Sequence, residues 1–215
     1  MFEMVRNAED CRRPHKGLSH VKGRSDMSLW RETIPACFAR TAKAHAAREA
    51  ACFPEQGIRV SYGELARDVD RLALGLMELG LAKGERIGIW SPNRYEWLLT
   101  QFATARLGLV MVTINPAYRL AELEYAINKV ECRALILAES FKSSDYVAMI
   151  REVAPELAQG GERLQAIRLP SLRHVVTLGT PAPGIRAFDS LLLEPDRDSL
   201  TELDLRTAQL SPDDP

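Results

Sequence analysis

The chain has 215 residues, 46% hydrophobic and 27% charged, with a formal net charge of -1. That length holds one large domain or two small ones, and that mixture is enough to bury a core, so global disorder is excluded. So small a charge excludes the general attraction to nucleic acid or anionic membrane that strongly basic proteins use. No apolar run approaches the roughly 20 residues that cross a bilayer.

Residues 1–27 differ from the rest. Arg, Lys and His abound there without apolar periodicity. A secretory signal needs a continuous apolar stretch, and a mitochondrial presequence avoids acids, whereas Glu3, Glu9, Asp10 and Asp26 punctuate this one. The expectation is a disordered leader over residues 1–27, with Met27 as an alternative start, and a folded portion over 28–215. The four cysteines (Cys11, Cys37, Cys52, Cys132) are scattered with no C-x-x-C pair. They read as free thiols of a reducing compartment, hence the cytoplasm.

The spacing of apolar residues predicts a surface helix from Ile34 to about Ala50, then a short extended piece, Ile58–Val60. Ser61 and Glu64 have the spacing of a capping box. Leu65, Val69, Leu72, Leu76 and Leu79 then share one helical face, and Gly80 stands where a left-handed cap ends a helix. From there strands alternate with helices. The apolar runs are Arg86–Trp90, Leu109–Thr113, Ala134–Ala138 and His174–Leu178. Asn93 is the expected cap of a helix ending before Gly108. Leu120, Leu123, Ile127 and Val130 mark the next helix, and Val147, Ile150 and Val153 another that stops near Pro155. Residues 159–170 read as a loop, and 188–193 as a short helix. Runs apolar throughout are what strands covered on both faces require. The fold class is therefore α/β, with a mostly parallel sheet and helices on both faces.

Ligands of such a sheet gather at the carboxyl ends of its strands. Those ends carry neither G-x-G-x-x-G nor a G-x-x-x-x-G-K-[ST] loop, and no G-x-S-x-G elbow. The histidines (His15, His20, His45, His174) lack metal-chelating spacing. His174 reads as a structural residue and Cys132 as a buried thiol. The residues alone therefore yield an α/β domain with no catalytic or metal-binding constellation.

Several consecutive stretches nevertheless have a familiar look. Gly57–Leu65 (Gly-Ile-Arg-Val-Ser-Tyr-Gly-Glu-Leu), Gly80–Ile89, Ser91–Trp97, Ile114–Arg119 and Ala138–Tyr146 follow one another without large gaps. Together they resemble the acyl-adenylate-forming ligases, nearest to the fatty-acyl-CoA ligase branch of the acyl-CoA synthetase family member 2 type. The resemblance implies an incomplete N-terminal part of an AMP-dependent synthetase/ligase domain. In such enzymes a carboxylic acid attacks the α-phosphate of ATP, and the thiol of CoA then displaces AMP, with Mg2+ assisting. It also implies that the phosphate loop, its lysine and the magnesium-binding motif lie beyond Ser211–Pro215. No catalysis is expected of this chain alone, and no cofactor of its own. Surface left bare by missing strands and helices should make it prone to aggregate. The resemblance places Asn115, Arg119 and Lys142 along the approach of the CoA nucleotide, with Lys142 as a point charge for a CoA phosphate. The plainer alternative makes Asn115–Pro116 turn chemistry and Lys142 a solvated charge. A split ligase completed by a separate chain and a non-enzymatic binding module are the other functions open to such a sequence.

Overall fold

The computed structural model describes residues 26–28 and 30–215. The leader expected over residues 1–27 therefore falls almost wholly outside the described residues. The chain divides into units Met1–Arg31 and Glu32–Pro215, and every helix and strand below belongs to the second.

Helix α1 spans Ile34–Ala44 and is capped by Thr33, whose Oγ1 accepts the Ala36 amide at 3.3 Å. The expected continuation to Ala50 does not occur. Instead Glu49–Phe53 is strand β1, paired antiparallel with β2, Ile58–Ser61. Alanine composition favours helix, but backbone pairing across a hairpin outweighs so weak a local preference. A 3-10 turn over Pro54–Gln56 and Gly57, at φ 68°, close the hairpin.

Helix α2, Tyr62–Glu78, is the sequence's plainest element. The Glu64 amide donates to Ser61 Oγ at 3.3 Å and the Ser61 amide donates to Glu64 Oε2 at 2.9 Å, the reciprocal pair of a capping box. Leu65, Val69, Leu72 and Leu76 are buried along one face, and Gly80, at φ 73°, ends the helix. Gly75 sits mid-helix, where glycine costs about 1 kcal/mol relative to alanine. A Cβ there would lie 2.1 Å from the Leu191 carbonyl oxygen, so only glycine admits that backbone.

Strand β3, Arg86–Trp90, leads to helix α3, Tyr95–Leu107. Asn93 does not cap it. The cap position is Arg94, and the Tyr95 amide instead donates to Gln56 Oε1 at 2.8 Å. The partner comes from the distant β1–β2 hairpin, which no local pattern reveals. Then follow β4 (Val110–Thr113), α4 (Leu120–Lys129), β5 (Cys132–Leu137), the small hairpin of β6 (Ser140–Phe141) and β7 (Ser144–Asp145), and α5 (Tyr146–Val153). Strand β8 (His174–Thr177), strand β9 (Ile185–Ala187), a 3-10 turn over Phe188–Leu191 and helix α6 (Arg197–Ala208) complete the unit.

The main sheet has the order β4-β3-β5-β8-β9 with every pairing parallel. Alternate side chains of its strands feed two cores. Ile87, Ile89, Ala134 and Ile136 pack with residues of α2, α3 and α6. Trp90, Leu135 and Leu137 pack with residues of α4 and α5. The mostly parallel, doubly covered sheet is thus the one expected. Strand β9 and helix α6 were not. The first has three residues, and the second buries only Leu203, too faint a stripe to read. No described helix is long and apolar enough to cross a membrane.

Candidate functional site

The order β4-β3-β5 means that the chain winds one way from β3 to β4, then crosses back to β5. Such a reversal leaves a crevice outside the carboxyl ends of the two strands that flank it, here β3 and β5. Four loops converge there: 91–94, 114–119, 138–145 and 178–181.

Two aromatic rings fix the centre of this loop cluster. Trp90 closes β3 and Tyr146 opens α5, and their rings stack at 3.5 Å with 10° between planes. Both are fully buried. Each spends its polar atom on the neighbouring loop: the Trp90 indole N–H donates to the Asn115 carbonyl at 3.2 Å, and the Tyr146 hydroxyl donates to the Pro116 carbonyl. Burial pushes the Tyr146 hydroxyl up to about 12, so it stays a donor at neutral pH. The loop of Asn115 to Arg119 is therefore held from beneath by strand and helix residues as well as by its own turn, in which the Tyr118 amide donates to the Asn115 carbonyl at 3.0 Å.

Onto this platform the structure brings Arg119 and the β6–β7 hairpin together. Arg119 Nη1 donates to Ser144 Oγ at 2.6 Å. Lys142 forms the hairpin turn at φ 53°, exposed, with its ammonium 5.3 Å from the centre of the Phe141 ring. Asn115 stands apart: its Oδ1 accepts the Ala117 amide at 2.9 Å, so its side chain serves the turn. Two carboxylates share the cleft with Lys142, and both turn toward backbone amides. Glu139 accepts from the Thr180 amide at 2.6 Å, which holds its carboxyl pKa below the ordinary carboxylate range, and Asp145 accepts from the Ala148 amide at 2.8 Å as the cap of α5. Gly179 leaves room for the Glu139 carboxylate: a Cβ there would lie 1.9 Å from Glu139 Cγ and would displace the side chain. With the carboxylates engaged, the cleft lining offers the Lys142 ammonium and the Ser143 hydroxyl, with Arg119 held beside it through Ser144, a donor set suited to an anion.

Among the described residues no three His, Cys, Asp or Glu side chains gather as metal ligands. Cys132 is fully buried and its thiol is pushed up to about 11 by that burial, which makes it inert. His174 lies at the opposite, amino end of the sheet, and burial next to Arg186, Arg163 and Arg173 lowers its affinity for a proton. Trp90 and Tyr146 are the site residues that sequence reasoning missed. Their signals were an aromatic ending an apolar strand and another directly after the capping aspartate, both easily taken for core.

The sequence pattern of the AMP-binding enzyme family matches residues 38–176. The medium-chain acyl-CoA ligase ACSF2, mitochondrial, of Rattus norvegicus is 40% identical over 187 residues, which is 85% of this chain and 30% of that protein. Its counterpart in Danio rerio is 40% identical over 169 residues, 77% of this chain and 28% of that one. The chain therefore spans about a third or less of the length of the curated relatives it matches. Among solved structures, the anthranilate CoA ligase AuaEII in complex with anthranoyl-AMP superposes with a TM-score of 0.64 at 22% identity, over 78% of this chain and 29% of that one. The acetoacetyl-CoA synthetase of Streptomyces lividans gives 0.63 at 23%, over 78% and 26%. At such identities the structures speak for the fold alone, and the parallel sheet is theirs. The pattern running from α1 into β8, through every loop of the cluster but the last, settles the matter: the chain belongs to the AMP-binding enzyme family.

Proposed function

We propose that this chain is the N-terminal part of an ATP-dependent fatty-acid–CoA ligase, and that its carboxyl-end loops form one wall of the approach taken by CoA. The reading is carried by the 40% identity to a medium-chain acyl-CoA ligase over 85% of the chain. The cleft of Lys142, Ser143 and Ser144, with Arg119 beside it, suits the phosphates of CoA by charge and donors. Its two carboxylates, Glu139 and Asp145, are turned to the amides of Thr180 and Ala148 rather than into the cleft, so they are not placed for the Mg2+ that accompanies ATP. In the whole enzyme ATP would supply the adenylyl group that activates the acid, with pyrophosphate leaving. This chain's residues would position rather than react: Trp90 and Tyr146 hold the 114–119 loop, Arg119 ties it to the hairpin, and Lys142 meets a phosphate.

The chain alone is expected to give no acid-dependent ATP–pyrophosphate exchange. In the chain joined to the rest of such an enzyme, Lys142→Ala should raise the Michaelis constant for CoA several-fold and leave that for ATP unchanged. Equal effects on both, or none on either, would refute the role of Lys142. Exchange by the chain alone would refute the division of labour. We place the protein in the cytoplasm on the acids in residues 1–27, although the relatives above are named mitochondrial; fractionation of cells making the tagged natural protein decides it.

A further inference from the structure

His174 is a buried side chain with both of its polar atoms left over. It shares a face of β8 with Val176, the face that packs with α2. It is only 5% exposed, and among the described residues neither ring nitrogen has a hydrogen-bond partner. The Leu79 carbonyl at the end of α2 lies near enough to favour a protonated ring, without the geometry of a hydrogen bond. A buried polar group left in this way calls for a bound water or ion. The ring borders a cavity whose walls all come from residues 157–186, so its shape is set within one segment of the chain. Two contacts fix those walls. The Leu164 amide donates to the Arg173 carbonyl at 2.7 Å. Gly184, at φ 72°, seats the β8–β9 turn on the 3-10 turn of Pro155–Gln159, where a Cβ would lie 2.3 Å from the Leu157 carbonyl oxygen. The space inside is about 20 Å3, room for one particle the size of a water molecule.

Cations crowd this space. Arg173 and Arg186 line it, and Arg163 stands close enough to act with them on His174. Arg173 shares Glu85 with Arg133, whereas Arg163 and Arg186 have no ion-pair partner among the described residues. Glu162 is the one carboxylate of the lining, and it is exposed. A water would meet a ring nitrogen and leave the guanidinium groups repelling one another, whereas an anion answers both needs. We propose that this cavity binds a single monatomic anion, chloride, between His174, Arg173 and Arg186. Size selects it, since a phosphate or carboxylate reaches the arginines only from outside. Chloride held there favours the protonated ring, so its binding and the charging of His174 strengthen each other. The site lies at the end of the sheet opposite the 138–145 loop and stands whether or not the ligase reading holds.

The test is the line width of the chloride nuclear resonance in solutions of the full chain, at about pH 6, where the ring begins to charge. Sodium gluconate keeps the ionic strength constant. The expected result is broadening that saturates as chloride is added. Arg186→Gln, at an exposed position, should weaken binding by about tenfold or more, as loss of a charge-assisted hydrogen bond does. His174→Phe should abolish it, with circular dichroism checking that the fold persists. Inorganic phosphate at equal concentration should leave the broadening in place. Replacing gluconate by chloride should also shrink the fall in urea midpoint on acidification, in the unaltered chain and not in His174→Phe. Absence of saturable broadening overturns the proposal. So does broadening that both substitutions leave unchanged, or chloride displaced by phosphate at equal concentration.

Discussion

The two ends of the sheet are held together by different physics. At the amino end the ties are ionic. Glu85 meets Arg133 at 3.2 Å and Arg173 at 3.5 Å, and Arg86 meets Glu131 at 2.7 Å. At the carboxyl end the ties are a buried ring stack and neutral donors, Trp90 and Tyr146 to the carbonyls of Asn115 and Pro116. The consequence is a difference in spare charge. The amino-end arginines just named have carboxylate partners, while Arg119 meets a hydroxyl and Lys142 a ring. At the carboxyl end too Arg94 is paired, with Glu96 at 2.7 Å, and Arg119 ties a loop to the hairpin, so Lys142 is the cation that the bracing leaves for a ligand.

The comparison breaks or sharpens most readily at Trp90. Trp90→Ala should cost about 3–5 kcal/mol, the usual range for emptying a large buried aromatic site. Urea unfolding at constant slope would measure it. A loss near 1 kcal/mol would mean that the loops stand without the stack. Gly75→Ala tests the packing beneath, where two effects oppose each other. Helix propensity predicts a gain of about 1 kcal/mol. The contact 2.1 Å from the Leu191 carbonyl predicts overpacking, a loss of about 1–3 kcal/mol, and should win. Tyr146→Phe should cost about 1 kcal/mol, because the Pro116 carbonyl loses its donor. Arg86 and Glu131 are 30% and 62% exposed, so Glu131→Ala at the ionic end should cost less than about 1 kcal/mol.

His174 gives the amino end a pH signature. Burial, aided by Arg186, Arg163 and Arg173, lowers its affinity for protons in the folded chain. The unfolded chain then binds the extra proton, so stability is full above the ordinary histidine value, about 6.5, and declines as pH falls below it. His174→Phe should flatten that decline in urea midpoints taken between about pH 7.5 and 5.5. An equal decline in both proteins would assign it to other groups.

What the sequence revealed follows from how local each cause is. Ser61, Glu64 and Gly80 act within a few residues, so α2 was legible to its caps. Four of the five strands of the main sheet, β3, β4, β5 and β8, carried unbroken apolar runs. Strand β1 was hidden because its alanines favour helix and its pairing with Ile58–Ser61 is tertiary. The cap of α3 was misassigned to Asn93 because Gln56, its true partner, is remote in sequence. At the site, motif position led to Lys142 and Arg119, but the stack beneath them joins residues from separate elements. The resemblance puts Asn115 on the CoA approach, and its Oδ1 accepts the Ala117 amide, the contact of a turn residue.

The smallest effect expected is at Lys142, and its smallness carries information. The residue holds φ 53°, a left-handed conformation that costs a non-glycine residue about 1–2 kcal/mol. Lys142→Ala keeps that backbone cost and removes only an exposed charge, so stability should change by less than about 0.5 kcal/mol. Lys142→Gly relieves the strain but loosens the unfolded chain, which returns about 0.5–1 kcal/mol of it, leaving a modest net gain. The two variants thus separate charge from backbone. If Ala is neutral and Gly stabilises, the lysine sits in a strained turn that its side chain does nothing to hold, as a ligand-facing cation would. If Ala itself costs 1 kcal/mol or more in urea unfolding, on the scale of an ordinary stabilising contact, Lys142 is bracing the hairpin. The carboxyl end would then be spending its cations on structure as the amino end does.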